Sequence, residues 1–480
     1  MALPHPECCP SVSSEFDLWT LPPTDTSVRE GRWDAYSPIA SLSDVGPVEF
    51  VITNADADTY LDLANTMLYV KAKILNGDGT AVAADKKVAP TNLWIQSMWR
   101  QVDVSLNDKL ITPSTNMYPY RAYLETLLSY GKEAKKSQLS AALWYADTPG
   151  KFDTMTDTNA GFVDRLNCTA ESRSVDMLGR LHCDMFLQHR HRLNNVTVRI
   201  RLTPAKDSFA LMSDEAAPGY KTRLEEVLIF VRKVKITSGV QLGHLKALAK
   251  APAKYPIRRV LTKYFSVPRG HTLINEQNLF LGSLPTRLVV GCVSNKAFDG
   301  DYTKNPFRFR HYYTNFVALY VGGRQIPTKP LTPDFENENF IRTYMNLFTH
   351  TGKAFHDEGN NIKRTTFAEG HTLFCFDLTP SLHDDHQLNL LNSPKQQTTT
   401  WTRYNCDVCY KQTCLPGLWW GQEVGSTLGI ISPHSPHAPH TPHAPHTPHA
   451  PPLGSPGPPG PASLTQTRVF AQDDIGSPSS

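Results

Sequence analysis

Cys406, Cys409 and Cys414 stand at the spacing Cys-x-x-Cys-x4-Cys, where closely spaced thiolates can share one tetrahedral zinc ion. The set is a half-site, because no fourth ligand lies nearby in the sequence, and zinc in this tail segment is the one cofactor expected. His182, His189 and His191 cluster, yet they flank strand-like sequence without carboxylates at ligand spacing, so core or surface histidines are expected. Asp56 with Asp58, and Asp384 with Asp385, pair carboxylates inside turn-like segments where solvation is their expected role. The sequence holds no phosphate-cradling Gly-rich loop, no Gly-x-Ser-x-Gly elbow and no His-Glu-x-x-His. No catalytic or cofactor-binding residue is assigned, and the chain is expected not to be an enzyme. Arg258-Arg259, Lys263, Arg269, Arg308 and Arg310 are the candidates for a surface facing a polyanion; ordinary solvated charge is the simpler role.

Composition points the same way. Among 480 residues, 48 basic and 45 acidic side chains leave a net charge of +3, too weak a field to make nucleic acid the main partner. No stretch reaches the roughly 18 to 20 apolar residues of a membrane span, and residues 1–10 have neither a basic nor an apolar leader region. The expected location is intracellular, in nucleus or cytoplasm, without export. Nine cysteines is an odd count, and Cys168, Cys183, Cys292 and Cys375 are scattered singly, which argues against a disulfide framework and for small buried side chains in a reducing compartment.

The elements that would position any site are mostly strands. Short β-rich runs such as Val48 to Thr53, Leu68 to Leu75, Val102 to Leu106, Val196 to Leu202, Val227 to Ile236, Arg287 to Val293 and Phe316 to Val321 are separated by turn signals. Two segments roughly 220 residues apart follow one plan. Gln101 to Ile111 is a strand, a two-residue turn and a return strand, followed by an amphipathic helix at Tyr120 to Leu128. Phe316 to Ile326 and Phe340 to Phe348 repeat it. Pro119 suits the first turn of the first helix and Gly131 its end, while Gly352 ends the second. The face carrying Tyr120, Tyr123 and Leu127 needs cover from its own sheet or from a neighbour.

These patterns divide the chain into an irregular arm at 1–26, a first domain at 27–235, a second at 236–393, a Cys-containing segment at 394–430 and a Pro/His-rich tail at 431–480. The tail repeats Pro-His-Ala/Thr every three residues, a period that cannot form a core and favours solvated, extended disorder. Two copies of one β-domain with inserted helices fit tandem jelly-roll sandwiches, an all-β double jelly roll, better than a meander.

The residues also carry a resemblance. Gln101-Val-Asp-Val-Ser-Leu-Asn107, Tyr118-Pro-Tyr-Arg-Ala-Tyr-Leu-Glu-Thr-Leu-Leu-Ser-Tyr-Gly131, Gly179-Arg-Leu-His-Cys-Asp-Met-Phe186, Lys254-Tyr-Pro-Ile-Arg-Arg259, Gln277-Asn-Leu-Phe-Leu-Gly282 and Pro333-Asp-Phe-Glu-Asn337 resemble, in one order, the double-jelly-roll major capsid protein (hexon) of Polinton (Maverick) elements and adintoviruses. Tyr118, Pro119, Tyr120, Arg121 and Tyr123, with Arg342 and Tyr344 in the second copy, are then structural motif residues. The resemblance implies homotrimeric, pseudo-hexagonal capsomers in an icosahedral virion shell around double-stranded DNA, with penton-type and other minor capsid proteins as partners. It ends near residue 391, after which further strand sequence is expected and Cys-rich sequence stands instead. That points to a second sandwich short of its last strands, in a degenerate or domesticated genomic copy. Trp401 to Cys414 is similar to the Cys-rich tail of piggyBac-type transposases over some 15 residues. The alternative role is a host-recruited β-sandwich module binding a glycan or protein ligand through its loops.

Overall fold

Alternation of apolar and polar residues, reinforced by β-branched side chains, makes strand the commonest regular structure of residues 27–236. The computed structural model describes residues 13–379 apart from 44–45, 55, 216–217, 268–272, 277–284 and 322–323, and the backbone of strands Gln412–Cys414, Pro416–Gln422, Ser426–Ile430 and Thr467–Phe470. The first sandwich is built from β1 (Val28–Tyr36), β2 (Val48–Ile52), β3 (Thr59–Leu75), β4 (Trp99–Leu106), β5 (Lys109–Leu110), β6 (Val175–Arg180), β7 (Val198–Pro204) and β8 (Lys221–Ile236). Hydrogen bonds order them β1-β8-β3-β6 in one sheet and β2-β7-β4-β5 in the other, all antiparallel. Apart from the β4–β5 hairpin, successive strands alternate between sheets and the first strand neighbours the last, which is a jelly roll. Asn107 and Asp108 turn that hairpin with φ of 46° and 66°, the left-handed pair that a tight two-residue turn demands.

Side-chain alternation sets which face is core. In β7, Val198, Ile200 and Leu202 are buried while Arg199 and Arg201 point out to Asp108 and Glu49. Those exposed ion pairs add little. The inward residues meet Phe50 of β2 and Val104 of β4 across the ladder, and each fully buried side chain of this kind contributes roughly 1.5–3 kcal/mol.

The second sandwich repeats the plan with β9 (Val260–Ser266), β10 (Leu273–Glu276), β11 (Arg287–Gly291), β12 (Phe316–Val321), β13 (Arg324–Leu331), β14 (Leu373–Asp377), β15 (Pro416–Gln422) and β16 (Thr467–Phe470). Its sheets run β9-β15-β11-β14 and β10-β16-β12-β13. The places that β8 and β7 hold in the first sandwich are held here by β15 and β16, in reversed chain order. Ser426–Ile430 pairs with Ala253–Ile257, and Gln412–Cys414 with β15. Cys406, Cys409, the Pro/His repeat, Arg269, Asp384 and Asp385 lie outside the described residues; Cys414 is placed by backbone alone, opposite Gly417.

Strand β11 is buried along its whole length because both of its faces are covered. Leu288 and Val290, with Phe374 and Phe376 of β14, form the core of the second sandwich. Val289, Leu373 and Cys375 point the other way, into the large core that also contains the first sandwich. The two halves therefore share one large hydrophobic cluster, beside which the second sandwich keeps a core of its own.

Candidate functional site

The helix that joins the halves is α1 (Tyr118–Ser129), inserted between β5 and β6 with Pro119 in its first turn. Its aromatic face is covered by its own chain. Tyr120 packs against Phe209 of the first half and against Phe298 and Phe307 of the second, at centroid separations of 5.7, 5.7 and 5.8 Å. Tyr123 stacks on Phe307 at 4.2 Å, with ring planes 1° apart, and lies 5.2 Å from Trp144. Such aromatic pairs add about 0.5–1.5 kcal/mol each beyond the area they bury.

The opposite face of α1 carries charge. Arg121 Nη2 lies 2.6 Å from Asp184 Oδ1 and its Nε lies 3.1 Å from Glu125 Oε1, while Glu125 Oε2 is 2.8 Å from His182 Nδ1. Burial opposes the charge on Arg121, but the two carboxylates outweigh it and hold the guanidinium ionised. Burial raises the Asp184 carboxyl, an effect that Arg121 moderates. Burial also lowers the His182 imidazole in spite of Glu125, so the neutral ring donates from Nδ1 to the carboxylate. Tyr118 Oη accepts from the His182 backbone N–H and donates to Gln96 Oε1. The cavity beside this network holds about 20 Å³, space for about one water and no substrate. Burial raises the Cys183 thiol, another lining residue, and leaves it an inert core side chain. Burial likewise pushes Cys292 and Cys375 up to about 12.

Buried polar contacts lock the joint further. Asp147 accepts from Arg165 Nη2 at 2.7 Å, from Asn159 at 3.0 Å and from Asn305 of the second half at 3.0 Å. Arg165 Nε and Nη1 donate to the carbonyls of Pro90 and Tyr145. Lys135 Nζ donates to the carbonyls of Leu127 and of Asn360 across the joint, and burial pulls its pKa down to about 7 with help from Lys353. Arg308 pairs with Asp153 across the same joint, so that candidate for a polyanion surface is already engaged.

The repeat of α1 is the helix Ile341–Thr349 between β13 and β14. Tyr344 Oη donates to the Ile362 carbonyl at 2.9 Å, and Arg342 donates to the carbonyls of Pro330 and Lys329. Arg121 and Arg342 thus hold matching places in two copies and do different work, one neutralising buried carboxylates and the other tying a surface helix to the preceding strand. Among the described residues no group of three or more His, Cys, Asp or Glu could hold a metal ion, and no helix is long and apolar enough to cross a membrane.

Beside the first turn of α1 lies a larger opening between the halves, of about 240 Å³. Tyr120, Phe209, Phe298 and Tyr264 wall it, and exposed Arg100 and Lys206 stand at its rim. Tyr120 Oη is closed off from solvent, without a hydrogen-bond partner among the described residues. Sequence periodicity marks Tyr120 as core and gives no sign of this opening, because Phe298 and Tyr264 come from distant segments.

No family model matches the sequence. An uncharacterized protein of Caenorhabditis elegans is 27% identical over 411 residues, 83% of this chain and 93% of that protein. Among solved structures, a chain of the Sputnik virophage determined by electron cryo-microscopy is similar with a TM-score of 0.50 at 9% identity, covering 98% of this chain and 90% of that one. The Faustovirus major capsid protein has a TM-score of 0.46 at 8% identity, with 86% and 92% of the two chains covered; for the mavirus major capsid protein the values are 0.42, 9%, 98% and 93%. At such identities the likeness is one of fold. The chain has a double-jelly-roll fold, similar to that of the virophage chain, with the all-β architecture and inserted helices expected from its sequence.

Proposed function

We propose that this chain is a structural major capsid protein of a Polinton- or adintovirus-like element, forming homotrimeric, pseudo-hexagonal capsomers of an icosahedral shell. The observation that carries this reading is the fusion of two jelly rolls of one strand plan in a single chain. Three copies would set six similar walls around a three-fold axis, which lets a trimer occupy a six-fold lattice position. The shared core and the buried contacts of Asp147, Lys135 and Tyr123 support it, since lattice walls must keep a fixed angle. The fold likeness to a virophage chain adds support, and the nematode relative, covered over nearly its whole length, supports residence of such genes in animal genomes, as a degenerate or domesticated copy. Minor capsid proteins of the penton type and enclosed double-stranded DNA are the further partners.

The test is the mass of the full chain in solution by size exclusion with light scattering. A species of roughly 160 kDa, three times the 53.6 kDa chain, is expected, with shells then sought by electron microscopy. A well-folded monomer would overturn the capsomer and favour a host-recruited binding module.

A further inference from the structure

Residues 13–26 run outside both sandwiches. Within them Phe16, Leu18, Trp19 and Leu21 are 70–87% exposed, a density of uncovered apolar side chains that a free surface rarely keeps. The segment holds Glu15, Asp17 and Asp25 and no basic residue. A short 3-10 turn at Ser14–Phe16 and the bond from the Thr20 N–H to Asp17 Oδ1 shape it into a compact knob.

The opening beside α1 has the complementary properties. At about 240 Å³ it exceeds the roughly 150 Å³ cavity that accepts a benzene ring. Its walls are aromatic and its rim carries Arg100 and Lys206. Asp299 is the acidic member of the lining, and its carbonyl already receives Lys206 Nζ. Among the described residues nothing fills the opening, and the arm stands exposed on its own copy. From Trp19 to the start of β1 at Val28 the backbone can span about 30 Å, enough to cross to an adjoining molecule.

We propose that the acidic, apolar arm of one copy docks in the opening between the halves of a second copy, with Trp19 inserted against the aromatic wall of Tyr264, Phe298 and Phe209. The arm is then an intersubunit clasp, and the proposal rests on the self-assembling reading above.

Thr20→Cys and Thr115→Cys place thiols beside the knob and in the pocket lining without removing an apolar anchor or a rim charge. Full-length chains carrying one substitution each are mixed, oxidised mildly and separated without reductant, with each variant alone as the control for native thiols. A disulfide joining the two different chains is expected, falling at least tenfold when Trp19→Ala accompanies Thr20→Cys and weakening in high salt as the rim charges are screened. A mixture that forms the three-chain species and gives no such link overturns the clasp while leaving the capsomer intact. A link confined to monomers of the double variant Thr20→Cys/Thr115→Cys overturns the second copy as occupant. Monomers without any link overturn both readings together.

Discussion

Tyr123 Oη lies 3.0 Å from His371 Nε2, closing a contact between halves of the chain 248 residues apart. Burial lowers the His371 pKa to about 3, and nearby Lys135 adds to the effect, so a neutral imidazole makes the hydrogen bond with the phenol. In the unfolded chain the same imidazole titrates at the ordinary value of about 6.5. As pH falls below 6.5 the unfolded state takes up the proton first, so this stabilising contribution is fully present above 6.5 and is lost progressively toward pH 3. His371→Gln, which can still pair with Tyr123, should flatten that slope. Urea midpoints at pH 7 and pH 5 measure it, and an equal drop in parent and variant would refute the assignment.

Asp147 and Arg165 form an almost wholly buried pair, with Asn305 of the second half on the same carboxylate. Removing one partner of such a pair leaves an uncompensated charge, at a cost of about 3–5 kcal/mol. Asp147→Ala should therefore shift the denaturation midpoint by a large fraction of total stability, and Asp147→Asn by less, because the amide oxygen can still accept. If Asp147→Ala costs under about 1 kcal/mol, this pair does not hold the joint.

How much of this was legible follows from the range of each interaction. The strand, turn, return strand and helix at 101–128 and again at 316–348 are local patterns, and a period of two switching to one near 3.6 exposes them in sequence. Tyr120 and Tyr123 read as one apolar helix face, yet their partners Phe298 and Phe307 lie far along the chain and leave no periodic trace. The same holds for His182, whose carboxylate partner Glu125 arrives only through folding. Arg121 and Arg342 looked equivalent because the patterns around them match; burial separates their roles, and burial depends on which surfaces the two copies turn toward each other.

Gly161 sits in the first turn of the helix Ala160–Thr169, where a Cβ would stand 2.4 Å from the Ala146 carbonyl oxygen. Helix propensity alone would make Gly161→Ala stabilising by about 1 kcal/mol. The close approach involves backbone on both sides and cannot be relieved by a rotamer, so overpacking of about 1–3 kcal/mol should win. Asp147, next in sequence to Ala146, would shift with it and loosen the joint. A thermal midpoint lower than the parent is expected, and a higher one would mean that the loop at Ala146 yields freely.

Strand β15 lies between β9 and β11, its residues matched from Val260 with Gln422 to Ser266 with Pro416 on one side and from Arg287 with Gln422 to Gly291 with Leu418 on the other. A chain ending at residue 393 keeps β9, β11 and β14 but loses the strand that joins β9 to the rest, together with β16 between β10 and β12. Two gaps would open, each flanked by unpaired N–H and C=O groups. The first sandwich has all eight of its strands within residues 28–236, and these strands pair with one another. The 1–393 chain should therefore bind a hydrophobic dye, aggregate on mild heating and fail to reach the three-chain mass, while hydrogen exchange in β3 and β8 stays slow. A 1–393 chain that assembles and melts like the full protein would show that the second sandwich closes without 394–480, and the reversed order of its last two strands would then carry no structural weight.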